Sequence, residues 1–408
     1  MARQGSVFGG ALLLTGSCIG AGMLGLPIVT GLAGFFPSTA MFIVVWIFVT
    51  GGSFLMVEVL GWFKKPVNLI SMVSDTLGPI GQALCWLLYL FLFYAILVAY
   101  MVLSGDHVAS FFKTTFSLSL PDWAGSCFFV LIFGVIVYFG TQPVDHLNRL
   151  LMVGKILAYL LLVVCSVRFV SAKMLLYSKP KYMIASLPIL VIAFGFQNMI
   201  PVLMRYMGGD RKRVRLSIVI GSSFALIIYL IWQWIALGIL PIQDILSSYR
   251  ADKDAALTLR YFVGSDWIGY SAQILAFFAI LTSFLAQSLS LVHFLSDGLK
   301  IKHRQRENIG ICLLTLVPPL LFSVFFPNIF FQALGFAGGI CAVVLFGIFP
   351  VLMAWIGRYQ RKQLLPDRLP GGKAVLIAIL LLAGLIFFYQ LTKMIGIPLF
   401  PGPTAATR

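Results

Sequence analysis

Long runs of apolar residues, separated by short clusters of charge, proline and glycine, cover the chain from end to end. An apolar run of about 18 residues or more reads as a helix that crosses the hydrocarbon of a bilayer. Eleven such helices are predicted. Ten fall at about 5–33, 38–63, 82–112, 122–140, 147–170, 182–206, 214–241, 266–298, 308–326 and 329–357, and the last at about 373–396. Several exceed 25 residues, which allows tilt or extension beyond the bilayer. The longest polar stretches, 242–265 and 358–372, are too short to fold as a soluble domain. Binding or catalysis therefore has to sit inside the bundle. The expected fold class is an all-α integral membrane protein, with one transmembrane domain over 1–408.

Composition agrees. Of 408 residues, 60% are hydrophobic and 10% charged, with mean hydropathy +1.01, whereas a soluble chain carries about 25% charged residues. Net charge +16, from 29 Lys and Arg against 13 Asp and Glu, would suggest nucleic acid in a soluble protein. Here it follows topology, and no nucleic-acid partner is expected. An odd number of spans puts the termini on opposite sides. With the N-terminus cytoplasmic and the C-terminus periplasmic, 19 of the 29 basic residues lie inside, as the positive-inside rule requires. They include Arg3, Lys64, Lys65, Arg205, Arg211, Lys212, Arg213, Arg215, Lys300, Lys302, Arg304, Arg306, Arg358 and Arg361. The exception is the basic segment with Arg168, Lys173, Lys179 and Lys181, which falls outside. A further span there would invert all that follows.

The six cysteines form no CxxC pair and read as free thiols, neither a disulfide frame nor a metal site. Thr15-Gly16-Ser17-Cys18 brushes against a lipoprotein cleavage box but lacks the apolar residue three before the cysteine, so the first helix is expected to stay. The absence of any N-x-[ST] sequon fits a bacterial protein.

Two of the predicted helices carry interruptions. The first contains Gly16-Ser17-Cys18-Ile19-Gly20-Ala21-Gly22 and then Pro27; the sixth contains Phe194-Gly195-Phe196-Gln197-Asn198 and then Pro201. Each glycine costs roughly 1 kcal/mol against alanine in a helix, and non-helical backbone at membrane depth persists only against protein or a water-filled cavity. Close packing through small residues is the plain alternative for the first segment, and a proline kink with satisfied amides for the second. As a pair the breaks, centred near Gly16 and Gly195, say more. Each opens a run of five spans, 5–170 and 182–357, leaving 373–396 as an eleventh helix. Five is odd, so the second set would be inverted. Broken helices at matching places in an inverted repeat mark the site of a secondary transporter. Freed amides near Gly16, Ser17, Cys18, Gly20, Ala21 and Gly22 suit a carboxylate, and freed carbonyls suit an ammonium or a cation. Phe194 and Phe196 offer aromatic walls, or simple packing. Gln197 and Asn198 are amides that need partners.

At these residues the chain resembles the hydroxy and aromatic amino acid permeases. The similarity lies in the first-helix segment Gly16 to Pro27, in Asn148-Arg149-Leu150-Leu151-Met152-Val153-Gly154-Lys155, in Leu281-Thr282-Ser283-Phe284-Leu285 and in Phe294-Leu295-Ser296-Asp297-Gly298. It covers nearly the whole chain. The resemblance implies the five-plus-five inverted-repeat fold of the amino acid–polyamine–organocation superfamily. It also implies proton-driven uptake of an aromatic amino acid across the bacterial inner membrane. Tyrosine is the expected substrate, with tryptophan or a broader neutral range as the alternative, and no cofactor is needed.

The same resemblance implies that Lys155 sits where related transporters hold a sodium ion, with Thr282 and Ser283 matching the hydroxyl pair of that site. A buried lysine can load and release a proton, which would couple transport to a proton gradient; snorkelling to the inner headgroups is the plain alternative. Because the hydroxyl pair is present, sodium coupling or exchange also stays open. Glu58 could pair with Lys155 or another basic group, or lie at the interface. Asp106 and His107 are expected at the outer vestibule or headgroup level.

Rival classes find little support. No pore loop or acidic ring suggests a channel. No HExxH suggests a metalloenzyme, and no GxxxxGK[ST] suggests an ATP-driven pump. A transporter-like amino acid sensor remains the alternative of a different class, separable by accumulation of substrate against a gradient.

Overall fold

The structure, a computed structural model, describes residues 5–63, 67–262, 266–301, 308–363, 365 and 368–397. Of the basic residues counted above, Arg3, Lys64, Lys65, Lys302, Arg304 and Arg306 lie outside the described residues. Among the described residues every element is helical. Among these residues eight helices are long and apolar enough to cross a membrane, and one bent pair, counted as one span, makes a ninth. Two further expected spans, Asp122–Tyr138 and Ile309–Phe325, are apolar helices of 17 residues, about 26 Å at 1.5 Å per residue.

The bent pair is α1 (Val7–Cys18) and α2 (Gly22–Gly31), at 63° to one another. Next come α3 (Phe35–Leu60) and α4 (Leu69–Phe116). At Gly78 α4 turns through the left-handed region (φ 75°) ahead of Pro79, so residues 69–77 form a separate short helix that the apolar pattern does not predict. The chain continues through α5 (Asp122–Tyr138), α6 (Thr141–Ser166) and the four-residue α7 (Ala172–Leu175). The basic segment 167–186 holds only short helical turns besides α7, so no span is hidden there.

The sixth expected helix is split into α8 (Leu187–Ala193) and α9 (Ile200–Tyr206). Then follow α10 (Arg211–Ile239), α11 (Ile242–Arg250), α12 (Ala255–Phe262), α13 (Asp266–Gly298) and α14 (Ile309–Phe325). From α15 (Phe330–Phe336) the chain passes through π-helical turns into α16 (Phe349–Trp355). The last element is α17 (Gly372–Met394). A Cβ at Gly338, in the first π turn, would overlap the Pro188 carbonyl of α8, so only glycine permits this approach. The largest fully buried side chains include Trp232, Tyr229, Phe42, Lys155, Phe194 and Phe196. The core thus centres on the two broken helices.

Ion pairs fasten both ends of the bundle. Glu58 accepts from Arg358 through both oxygens, at 2.7 Å from Nε and 2.6 Å from a terminal guanidinium nitrogen, and from Leu369 N at 3.1 Å. Both partners are buried. At the other end, three consecutive residues of the turn between α11 and α12 grip different helices. The Asp252 carboxylate accepts from Phe330 N (2.5 Å) and Phe331 N (3.0 Å) at the start of α15. Lys253 donates to Asp106 (2.5 Å) on α4 and Asp122 (3.1 Å) on α5. Asp254 accepts from Ala256 N (2.7 Å) in α12 and lies 2.8 Å from His107 Nε2 on α4. Asp106 and His107 are both buried beneath this turn.

Two outcomes follow from these contacts. Arg358→Ala leaves Glu58 as a buried carboxylate without its partner, a loss of about 3–5 kcal/mol. Thermal unfolding in detergent should show it, and the double change Glu58→Gln with Arg358→Met should recover most of it. The second concerns Asp252, which burial pushes up from 3.8 to about 6 against the opposing pull of the Phe331 and Phe330 amides. The folded protein then holds a proton that the unfolded chain lacks between these values, so this group's contribution to stability rises as pH falls from 6 towards 3.8. Asp252→Asn should remove that part of the pH dependence of Tm and leave the rest.

Candidate functional site

The first helix does not break at Gly16. Its ladder runs on through Ile19 N to Thr15 O (3.1 Å), and the chain turns where Gly20 N reaches back to Cys18 O at 2.8 Å. The break is thus 19–21. Gly16 stays inside α1 with only the end of the Met152 side chain before it. Ser17 is exposed and donates to Leu14 O at 2.8 Å, inside its own helix, so its hydroxyl serves α1 and not the break.

Four groups at this break meet a donor or acceptor from another helix. Cys18 O accepts from the Tyr229 hydroxyl at 2.6 Å. Ile19 O accepts from Lys155 Nζ at 2.5 Å. Ala21 N donates to Ser283 Oγ at 3.1 Å, and Met23 O accepts from Trp232 Nε1 at 3.0 Å. Gly20 allows the Ser283 contact, since a Cβ there would come within 2.6 Å of Ser283 Oγ. Gly22, the first residue of α2, has nothing within 4 Å of where a Cβ would stand. Open space lies beside the helix N-terminus, where amides face outward.

In the sixth expected span the interruption runs from Phe194 to Phe196. Gly195 N reaches Ile192 O at 3.0 Å and Phe196 N reaches Phe194 O at 2.6 Å, before the turn Gln197–Met199 leads into α9. Pro201 falls in the first turn of α9, where its missing amide costs nothing. Phe194 sets its edge against Tyr229 at 5.1 Å between ring centroids, and Phe194 and Phe196 are both fully buried. Gln197 is 1% exposed, and among the described residues its Oε1 has no hydrogen-bond partner; Asn198 Oδ1 has none either. Unmet buried acceptors are costly, and a bound donor would relieve them.

Lys155 projects from α6 into the bundle, 2% exposed. Besides Ile19 O it reaches Thr282 Oγ1 at 3.3 Å, and Thr282 donates in turn to Phe278 O at 2.8 Å. Snorkelling is thereby excluded for this conformation. The two hydroxyls part company: Thr282 accepts from the ammonium, while Ser283 holds the Ala21 amide. Glu58 takes no part in this cluster, because Arg358 already holds its carboxylate. Of the partners expected for Glu58, Lys155 is thus ruled out and the other basic group is Arg358. Tyr229 and Trp232 are the site residues that the sequence pattern misses. Their signal was present, since a phenol and an indole N–H in the middle of an apolar span each need a buried partner.

Similarity to known proteins extends over most of the chain. It is 30% identical over 385 residues to tyrosine-specific transport system 1 of Haemophilus influenzae, covering 93% of this chain and 94% of that protein. It is 28% identical to a tryptophan-specific transport protein of the same species, covering 88% and 90%. It is 26% identical to glutamine transporter 2 of Aliivibrio fischeri, covering 94% and 99%. The two broken helices, with Lys155 bonded to the turn of the first, thus occur in a chain matched over residues 3–390 by the tryptophan/tyrosine permease family, and the protein belongs to that family.

Proposed function

We propose that this protein is a proton-coupled symporter that imports an aromatic amino acid, L-tyrosine first, across the bacterial inner membrane by alternating access. In this reading eleven helices span the membrane, with the N-terminus cytoplasmic and the C-terminus periplasmic. Residues 5–170 and 182–357 form the inverted repeats, and 373–396 the added helix. The packing supports the repeat: α6 lies along α13, and its counterpart in the other half, the helix from α15 onward, lies along α4.

The observation that carries the reading is the Lys155 ammonium, bonded at once to the turn of the broken first helix and to α13. Protonated, it ties α1, α6 and α13 together. Without its proton it keeps two N–H groups but loses the charge that strengthens both bonds, so proton release loosens the first helix. Substrate binding at the same helix then becomes linked to the proton. Amides at the start of α2, beside the open space at Gly22, would take the carboxylate. Gln197 Oε1, buried and unmatched, suits a phenol O–H or an indole N–H. The tyrosine-specific and tryptophan-specific transport relatives agree with this chemistry.

Proteoliposomes test it directly. Labelled tyrosine should accumulate under an inward proton gradient, and unlabelled aromatic amino acids should block it while leucine does not. Accumulation driven by sodium alone would overturn the role of Lys155, and no accumulation under either gradient would leave an exchanger or a sensor. Lys155→Ala should lower gradient-driven accumulation at least tenfold. Gln197→Ala should raise KM for tyrosine about tenfold, one lost hydrogen bond of about 1.4 kcal/mol, and move KM for phenylalanine less than twofold.

A further inference from the structure

Two helix ends meet at one hydroxyl. Cys18 is the last residue of α1 and Ala193 the last of α8. Their carbonyl oxygens each lie 2.6 Å from the Tyr229 hydroxyl. A helix C-terminus carries about half a negative charge on its unsatisfied carbonyls, so two such ends in close approach repel. The phenol lies between them, but it owns a single proton. At any moment one carbonyl is served and the other is short of a donor. Cys18 O has a second donor in Gly20 N at 2.8 Å, and the deficit falls mainly on Ala193 O.

The ring that carries this hydroxyl is well fixed. Tyr229 is fully buried on α10. Phe194 meets it edge-on, and Phe42 lies 6.2 Å away between centroids. Such aromatic contacts hold the ring in place while leaving the hydroxyl hydrogen free to rotate from one acceptor to the other. A helix-borne phenol with a locked ring and a swivelling proton is a spacer as well as a donor. It sets the gap between the two broken helices, and both must adjust to it.

We propose that Tyr229 is a positioning residue for the substrate's amino group: its hydroxyl holds the ends of α1 and α8 at the spacing of a shared cationic donor, then turns its proton to one carbonyl while the ammonium serves the other. This rests on the reading that the breaks bind the two ends of an amino acid. An α-ammonium brings three N–H groups and a positive charge to a point that has acceptors to spare and negative helix ends on both sides. The phenol oxygen can itself accept from the ammonium once its proton is committed. A substrate without the amino group would find the helix ends still short of a donor.

The test compares wild type with Tyr229→Phe in proteoliposomes, which keeps the ring and its contact with Phe194. KM for L-tyrosine should rise about tenfold while the maximal rate stays within twofold. An unchanged KM, or KM and maximal rate degrading together as in a general loss of folded protein, would overturn the proposal. Should Tyr229→Phe fail to fold, 3-fluorotyrosine placed at position 229 preserves ring and hydroxyl. Its single fluorine resonance should move on saturation with L-tyrosine, and a resonance that stays put would overturn the proposal equally. Wild type that accumulates no aromatic amino acid would instead sink the transport reading, and this inference with it. Wild type that does so beside a Tyr229→Phe variant of normal KM would sink the inference alone.

Discussion

Open backbone in the interior of a membrane bundle is the constraint around which this structure is arranged. Water is not at hand there, and each unsatisfied amide or carbonyl costs several kcal/mol. The turn at 19–21 therefore has to be satisfied by side chains of other helices. Tyr229 and Trp232 come from α10, Lys155 from α6 and Ser283 from α13. Three helices are thereby fixed around the first one by the bonds that its break demands. The break is the organising centre of the fold and not a defect in one helix.

The satisfaction is incomplete. Lys155 serves Ile19 O with a group that can exchange a proton. Tyr229 divides one proton between two carbonyls. Gln197 and Asn198 keep buried acceptors without donors among the described residues. A fully matched network would be rigid and would have no reason to bind anything. Under the proposed function, the missing donors are those an amino acid brings, an ammonium and, from tyrosine or tryptophan, a further O–H or N–H.

The ends of the bundle are built differently from its centre. Glu58 and Arg358 form a two-point buried ion pair, and Asp252, Lys253 and Asp254 fasten one turn to α15, α4, α5 and α12. These are charge-assisted contacts, roughly twice as strong as neutral ones. At the turn 19–21 the contacts from α10 and α13 are neutral hydrogen bonds, and the Lys155 bond carries charge.

The sequence by itself determined the membrane class, the approximate place of each apolar helix and the presence of two weak points. Apolar length and glycine content are local properties, and they act wherever the chain goes. It also marked Lys155, because a charge within an apolar run is costly in any fold. It misplaced the first break by a few residues, since Gly16 weakens a helix only where no neighbour supports it, and the turn instead forms where Ser283, Lys155 and Tyr229 converge. It could not see residues 69–77 as a separate helix or the helices of 242–262, which lack a long apolar run. Above all it could not choose partners. That Glu58 belongs to Arg358, that Thr282 and Ser283 serve different groups and that one phenol spans both breaks depend on which helices lie side by side. Only tertiary packing decides that, because residues hundreds of positions apart become neighbours through the summed burial of the whole bundle.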